Sequence, residues 1–406
     1  MGESTALGPA LKRWFSQPPR RHGEIDEERT VSFLELFYDL VFVVLIAQIA
    51  HTLAGHTSWS SVGDFAIVFG LIWIAWLNGT LYHELHGRED GRSRSYIFVQ
   101  MLILVVLAVY AGHATDEDGQ GFAIVYAVLL VVLTLQWYGV RRVDTAEWSR
   151  VTGRYIGGMV LLAALMVVSA FLDDDARVAL WAGLVVVFVA GAAVQTAMAG
   201  ETRTAIAGTE SLSERLGLFT IIVLGEVVVG VVDGLSEAER DTTTIVTGLL
   251  ALSVGFGFWW NYFDFAGRRV PRVGRTPLVT WLMVHLPMAA AIAGAGAGMV
   301  GLIEPAGDDR TPAPTAWLIG GSTALLLVSL AAIVLTIDYR EPDRQVARSV
   351  VTALGFGAAT ALVVAALRPV PWLLASALLA LLVTIWVFAF GVRARASRTG
   401  APSIAS

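Results

Sequence analysis

Carboxylates are costly in hydrocarbon, and this chain places several inside apolar runs. The stretch SFLELFYDLVFVVLIAQIAHTL, from Ser32 to Leu53, is long and apolar enough to cross a bilayer, yet it carries Glu35, Asp39 and Gln48. An acidic side chain at mid-membrane costs about 2.5–3.5 kcal/mol and normally turns toward partners or water. At helical spacing Glu35 and Asp39 share one face, a turn apart. A second stretch, SLSERLGLFTIIVLGEVVVGVV from Ser211 to Val232, holds Glu214, Arg215 and Glu226, and the spacing puts Arg215, Glu226 and Asp233 on one polar stripe. Arg215 and Glu226 lie about 16 Å apart along such a helix, too far to pair. Glu226 therefore needs a partner from another helix or carries a proton. Chemistry suited to such groups is the binding and release of a proton or a monovalent cation.

Quieter roles are open to the same residues. Glu35 and Glu214 stand near helix N-termini, where the helix dipole favours an acid by about 0.3–1 kcal/mol. Glu226 could equally be a neutral acid hydrogen-bonded across a helix contact. Asp39 lies deeper in its span, with Arg215, Asn78 or Asn261 as its expected compensator.

Asn78, Gln100, Asn261, Asp264 and His285 fall toward one end of their spans, so a polar vestibule between two halves of the molecule is expected. Pro287, two residues after His285, frees a backbone carbonyl and makes the imidazole a candidate gate. Catalysis finds no constellation: there is no G-x-S-x-G elbow, and His83-Glu84-Leu85-His86, placed in a loop, lacks the longer His-Glu-x-x-His helix of a zinc site. His51, His56 and His113 could meet a metal only if the fold united them. The run AGAGAGMVG (293–301) has small-xxx-small spacing and predicts close helix approach, within the bundle or between subunits.

The elements that must position these residues are membrane-spanning helices. Of 406 residues 56% are hydrophobic and 15% charged, and the apolar residues come in runs of about 20. With no cysteine, disulfides and thiolate metal sites are excluded, and the one lysine, Lys12, lies in the N-terminal segment, which removes a Schiff-base lysine within the spans. No cofactor is indicated. Twelve spans are expected, at about 32–54, 61–82, 95–112, 121–140, 153–172, 177–199, 213–233, 243–265, 277–302, 313–338, 346–367 and 369–391. All but Arg177, Arg240, Arg310 and Arg368 among the 28 basic residues fall on one side of these spans. By the positive-inside rule that side is cytoplasmic and holds both termini. The same asymmetry explains the basic residues without nucleic acid. Residues 1–31 read as a partly disordered cytoplasmic tail.

Laying Glu214 on Glu35 matches Ser211 with Ser32 and Leu224 with Leu45, and Asn261 falls on Asn78 at nearly the same offset. This predicts an all-α polytopic protein of two parallel six-helix halves, 32–200 and 201–392, followed by a tail at 393–406.

FLELFYDLVFV (33–43), ERLGLFTIIVLGE (214–226), WWNYFDF (259–265) and HLP (285–287) together resemble the bacterial low temperature requirement A (LtrA) family. The resemblance implies a multi-helix protein of the bacterial inner membrane, in a family whose biochemical activity is undefined. Phe37-Tyr38-Asp39 more distantly resembles the F-S-D signature of six-plus-six potassium channels, departing from it at Phe33, where an arginine is expected. The functional expectation is a secondary transporter or ion-conducting protein in which buried carboxylates couple a cation or proton. The alternatives are a regulatory or scaffold membrane protein, which could be a homo-oligomer, and a metal-dependent membrane enzyme.

Overall fold

The computed structural model describes residues 14–15, 17–24, 29–198, 208–239, 241–339 and 343–398. Twelve helices in it are long and apolar enough to cross a membrane. They are α1 Phe33–Gly55, α2 Trp59–His86, α3 Gly91–Ala111, α4 Gly119–Val143, α5 Ala146–Ser169, α6 Asp174–Met198, α7 Glu210–Glu237, α8 Thr242–Phe265, α9 Arg275–Ile303, α10 Ala313–Thr336, α11 Asp343–Leu367 and α12 Pro371–Arg398. Each expected span falls on one helix. The boundary set at 200/201 lies outside the described residues, as do Arg203, Arg240 and Arg340 of the charge pattern.

Helix ends follow from short side chains that satisfy orphan N–H groups. Ser32 and Glu35 form a reciprocal capping box at the start of α1, Ser32 Oγ accepting from Glu35 N at 3.2 Å and Glu35 accepting from Ser32 N at 3.1 Å. Asp90, Thr209 and Asp241 cap α3, α7 and α8 in the simpler way. Within the spans, hydroxyls such as Thr134, Thr247 and Thr323 donate to the carbonyl four residues back, a local solution where water is absent. Large apolar side chains point outward along α3, α6 and α11, with Val109, Val187 and Phe356 among the exposed. Lipid, not a second protein layer, suits such faces.

The chain divides into two compact units. The first comprises Met1–Ile49 and Ile67–Phe188, the second Ala50–Ala66 and Val189–Ser406, so the C-terminal turns of α1 and the opening turns of α2 belong with the second.

In the first unit α4 packs against α3 and α5. Buried aromatics fill it: Trp181 of α6 meets Phe122 of α4 and donates to Ser169 Oγ at 2.9 Å. Part of the expected tail is built into this unit. Arg20 is buried, its guanidinium donating to Glu84 O at 2.9 Å. The backbone N and Nδ1 of His22 bond both carboxylate oxygens of Asp144, at 3.0 and 2.6 Å, and the ring stacks on Trp148.

In the second unit α9 is the most buried helix and packs against α7, α8 and α10, while α12 packs against α8 and α11. The small-residue run lies on α9 and makes its close approaches inside this unit. A Cβ at Gly296 would lie 2.7 Å from the backbone carbonyl of Glu226, and one at Gly230 would lie 2.1 Å from Gly296 O.

Candidate functional site

The first unit turns its buried polar side chains toward one another. Asp39 is fully buried, and its Oδ1 accepts from Trp76 Nε1 of α2 at 2.9 Å. One residue earlier, Tyr38 donates to Gln100 Oε1 of α3 at 2.6 Å, and Gln100 Nε2 donates to Gln136 Oε1 of α4 at 2.8 Å. Gly79 admits the Tyr38 ring, since a Cβ there would sit 2.8 Å from its hydroxyl. Asn78 does not serve as the compensator of Asp39. Its Nδ2 donates to Tyr155 Oη of α5 at 2.7 Å, and its Oδ1 accepts from Trp137 Nε1 of α4 at 3.0 Å. Five helices are thereby tied through a core that hydrocarbon alone would not hold in register.

Glu35 is buried at the start of α1 and paired with Arg29, whose Nη2 lies 2.6 Å from Glu35 Oε1 and whose Nη1 bonds Glu84. Ion pair and capping box together hold this acid at the start of α1. His83, Glu84 and His86, placed by the sequence in a loop, instead form the last turn of α2 and are buried. Apolar continuity ends earlier than the helix does, which is why sequence pattern placed them outside it. His86 Nδ1 bonds Arg20 O at 2.8 Å. Among the described residues no group of three His, Asp or Glu could hold a metal ion, and this covers His51, His56 and His113.

In the second unit the candidates separate. Glu214 is exposed on α7 and Arg215 beside it is buried, with 1% of its surface accessible. Gln48, on α1 in the first unit, is likewise exposed. Asn261 Nδ2 of α8 donates to Gly257 O at 2.8 Å and to Leu382 O of α12 at 3.4 Å. Asp264, half-buried, accepts from Trp260 at 3.2 Å and from Trp386 Nε1 of α12. His285 Nδ1 lies 2.6 Å from Trp281 O and its Nε2 lies 3.2 Å from Tyr262 Oη. Because a carbonyl can only accept, Nδ1 carries the proton in the neutral ring and Nε2 accepts from the tyrosine. Both ring nitrogens are therefore used within α8 and α9.

Glu226 is the exception. It lies in the middle of α7 with 5% of its surface accessible, its backbone against Gly296, and its carboxyl has no hydrogen-bond or ion-pair partner among the described residues. Asp233, two turns further along α7, adds a like charge. Gly296 has a second effect, because its missing side chain lets α9 close over the Glu226 backbone. Sequence reasoning found Glu226 but missed Gln136, Trp76 and Tyr155, whose polar atoms sit on residues that read as ordinary members of apolar or aromatic runs.

The profile of the family described as bacterial low temperature requirement A protein (LtrA) matches residues 30–391. A protein of Rhizobium meliloti (strain 1021), described as uncharacterized, is 27% identical over 252 residues, which is 61% of this chain and 61% of that protein. The chain thus spans about six tenths of the length of the curated relative it matches. No solved structure matches the chain significantly.

Proposed function

Since the chain belongs to the bacterial low temperature requirement A family, we infer that this multi-pass membrane protein is a secondary transporter or ion-conducting protein in which Glu226 takes up and releases a proton or a monovalent cation. The observation that supports the reading is the state of Glu226: a carboxyl buried in a spanning helix with no donor or cation partner among the described residues. A carboxylate left so in low dielectric is costly, so it is expected to hold a proton or an ion from solution. In this reading the protein lies in the inner membrane with both termini in the cytoplasm, and the two six-helix halves descend from a duplication.

The saturated hydrogen bonds of Asn78 and His285 favour a second reading, in which buried polar groups only fix helix packing. Proteoliposomes separate the two. The transport reading expects the wild-type protein to move protons or a monovalent cation, followed with a pH-sensitive dye, Glu226→Asp to keep part of that flux, and Glu226→Gln to abolish it with an unchanged melting temperature. Flux by E226Q at the wild-type rate, or no movement by the wild type above empty vesicles, would sink it.

A further inference from the structure

Access to Glu226 is unequal from the two ends of α7. Toward the start of the helix its face continues as Ile222, Phe219 and Arg215, the last two of them buried. Thr220 is the only polar side chain from Leu216 to Gly225, and its hydroxyl donates to Leu216 O at 2.8 Å. A cation coming that way would meet two turns of apolar side chains with a guanidinium behind them. Toward the other end polar groups follow one another. Asp233 lies two turns from Glu226, about 10 Å along the axis, and Glu237 one turn beyond it. Asp233 is half-buried and its charge acts on Glu226. Glu237 is exposed in the last turn of α7 and shares a hydrogen bond with Glu304 at the end of α9.

Between Glu226 and Asp233 the helix surface is open on one side. Gly225, Val229 and Asp233 follow one another at four-residue spacing, one row along α7. A Cβ at Gly225 would meet nothing within 4 Å, and Val229 is 48% exposed. Gly230, by contrast, is closed against Gly296 O of α9. Glu226 thus sits at the margin where the buried contact of α7 with α9 gives way to this row, and one valine separates it from the next carboxylate. Lipid along the row would leave Asp233 as a costly acid in hydrocarbon, whereas water would not. Acids lining such a row also concentrate cations, speeding their arrival by about tenfold or more. Resting on Glu226 as the exchanging carboxyl, we propose that water and cations reach it only from the acid-rich end of the second unit, over Val229, with Asp233 as the relay and Glu237 with Glu304 at the mouth.

The chain has no cysteine, so single cysteines report the path without background. Full-length V229C, D233C, I222C and F356C, the last on an exposed apolar face of α11, are placed in membrane vesicles of either orientation and treated with a membrane-impermeant maleimide. V229C and D233C are expected to label from the acid-rich side and not from the other. I222C and F356C should label about tenfold more slowly or less, because a thiol in apolar surroundings keeps its proton. V229C left unlabelled, or any of these positions above Glu226 or below it labelled from the arginine-rich side, overturns the proposal. In proteoliposomes Asp233→Asn should lower the wild-type flux about tenfold at low salt with an unchanged melting temperature, and the deficit should shrink as salt screens the charge. Flux by D233N at the wild-type rate, or a deficit that salt does not change, overturns the relay. A wild type that moves no ion sinks the role of Glu226 but not the path, which the labelling decides by itself.

Discussion

At the scale of single residues, a polar atom in a spanning helix is explained by what it bonds. Asp39, Asn78 and His285 each have named partners on neighbouring helices or turns, whereas Glu226 has none among the described residues. Sequence alone could rank all four as suspicious, because polar atoms in apolar runs are legible, but partner choice depends on which faces meet. The expectation that Asn78 compensates Asp39 failed for that reason: both are near the same depth, yet Trp137 and Tyr155 reach the amide and Trp76 reaches the acid. Another carboxyl pair yields a prediction outside the spans. Glu237 pushes the Glu304 carboxyl above the usual carboxylate range, first through a shared hydrogen bond, then with partial desolvation and like charge adding to it. A raised value means the contact helps the folded state at acid pH and loses that help as pH rises through it. Glu304→Gln should therefore melt higher than wild type at pH 7, by less than about 1 kcal/mol after screening, and at the same temperature as wild type at pH 4. A gap of the same size at both pH values would show that the two carboxyls do not interact.

At the scale of elements, the contact of α7 with α9 rests on absent side chains. Gly230 and Gly296 let the two backbones meet, and a methyl group on either would overlap main-chain atoms that cannot swing away. Gly230→Ala is expected to lower stability by about 1–3 kcal/mol, the range for overpacking. Gly225→Ala, one turn away with nothing within 4 Å of the added carbon, is the matched control and should be neutral or slightly stabilising. Melting curves of the two variants decide the point, and equal losses would show that helix approach is not the constraint. The alternating Gly-Ala pattern announced a close contact in advance. It could not name the neighbour, because small residues specify distance and not identity.

For the whole molecule, the spans were almost entirely legible: every apolar run of about 20 became one helix, since hydrocarbon leaves a backbone no other way to satisfy itself. What sequence pattern missed was the docked segment around Arg20 and His22, because a short polar stretch carries no periodicity to read. This segment is held by a charge-assisted bond between largely buried partners, His22 to Asp144. At about 1.5–3 kcal/mol for such a bond, His22→Ala should raise the open population some ten- to a hundredfold. Trypsin cleavage after Arg21 is the measurement, faster in H22A and in Asp144→Ala than in wild type. An unchanged rate would mean that Arg20 alone holds the segment.

The clasp also bears on the order in which the protein can be made. His22 and Asp144 are 122 residues apart in sequence, and Trp148 follows still later. While α1 to α4 leave the ribosome and enter the bilayer, the segment can already grip the end of α2, through Arg20. The His22 clasp must wait for the fifth helix, which makes it a late closing step of biogenesis for the first unit.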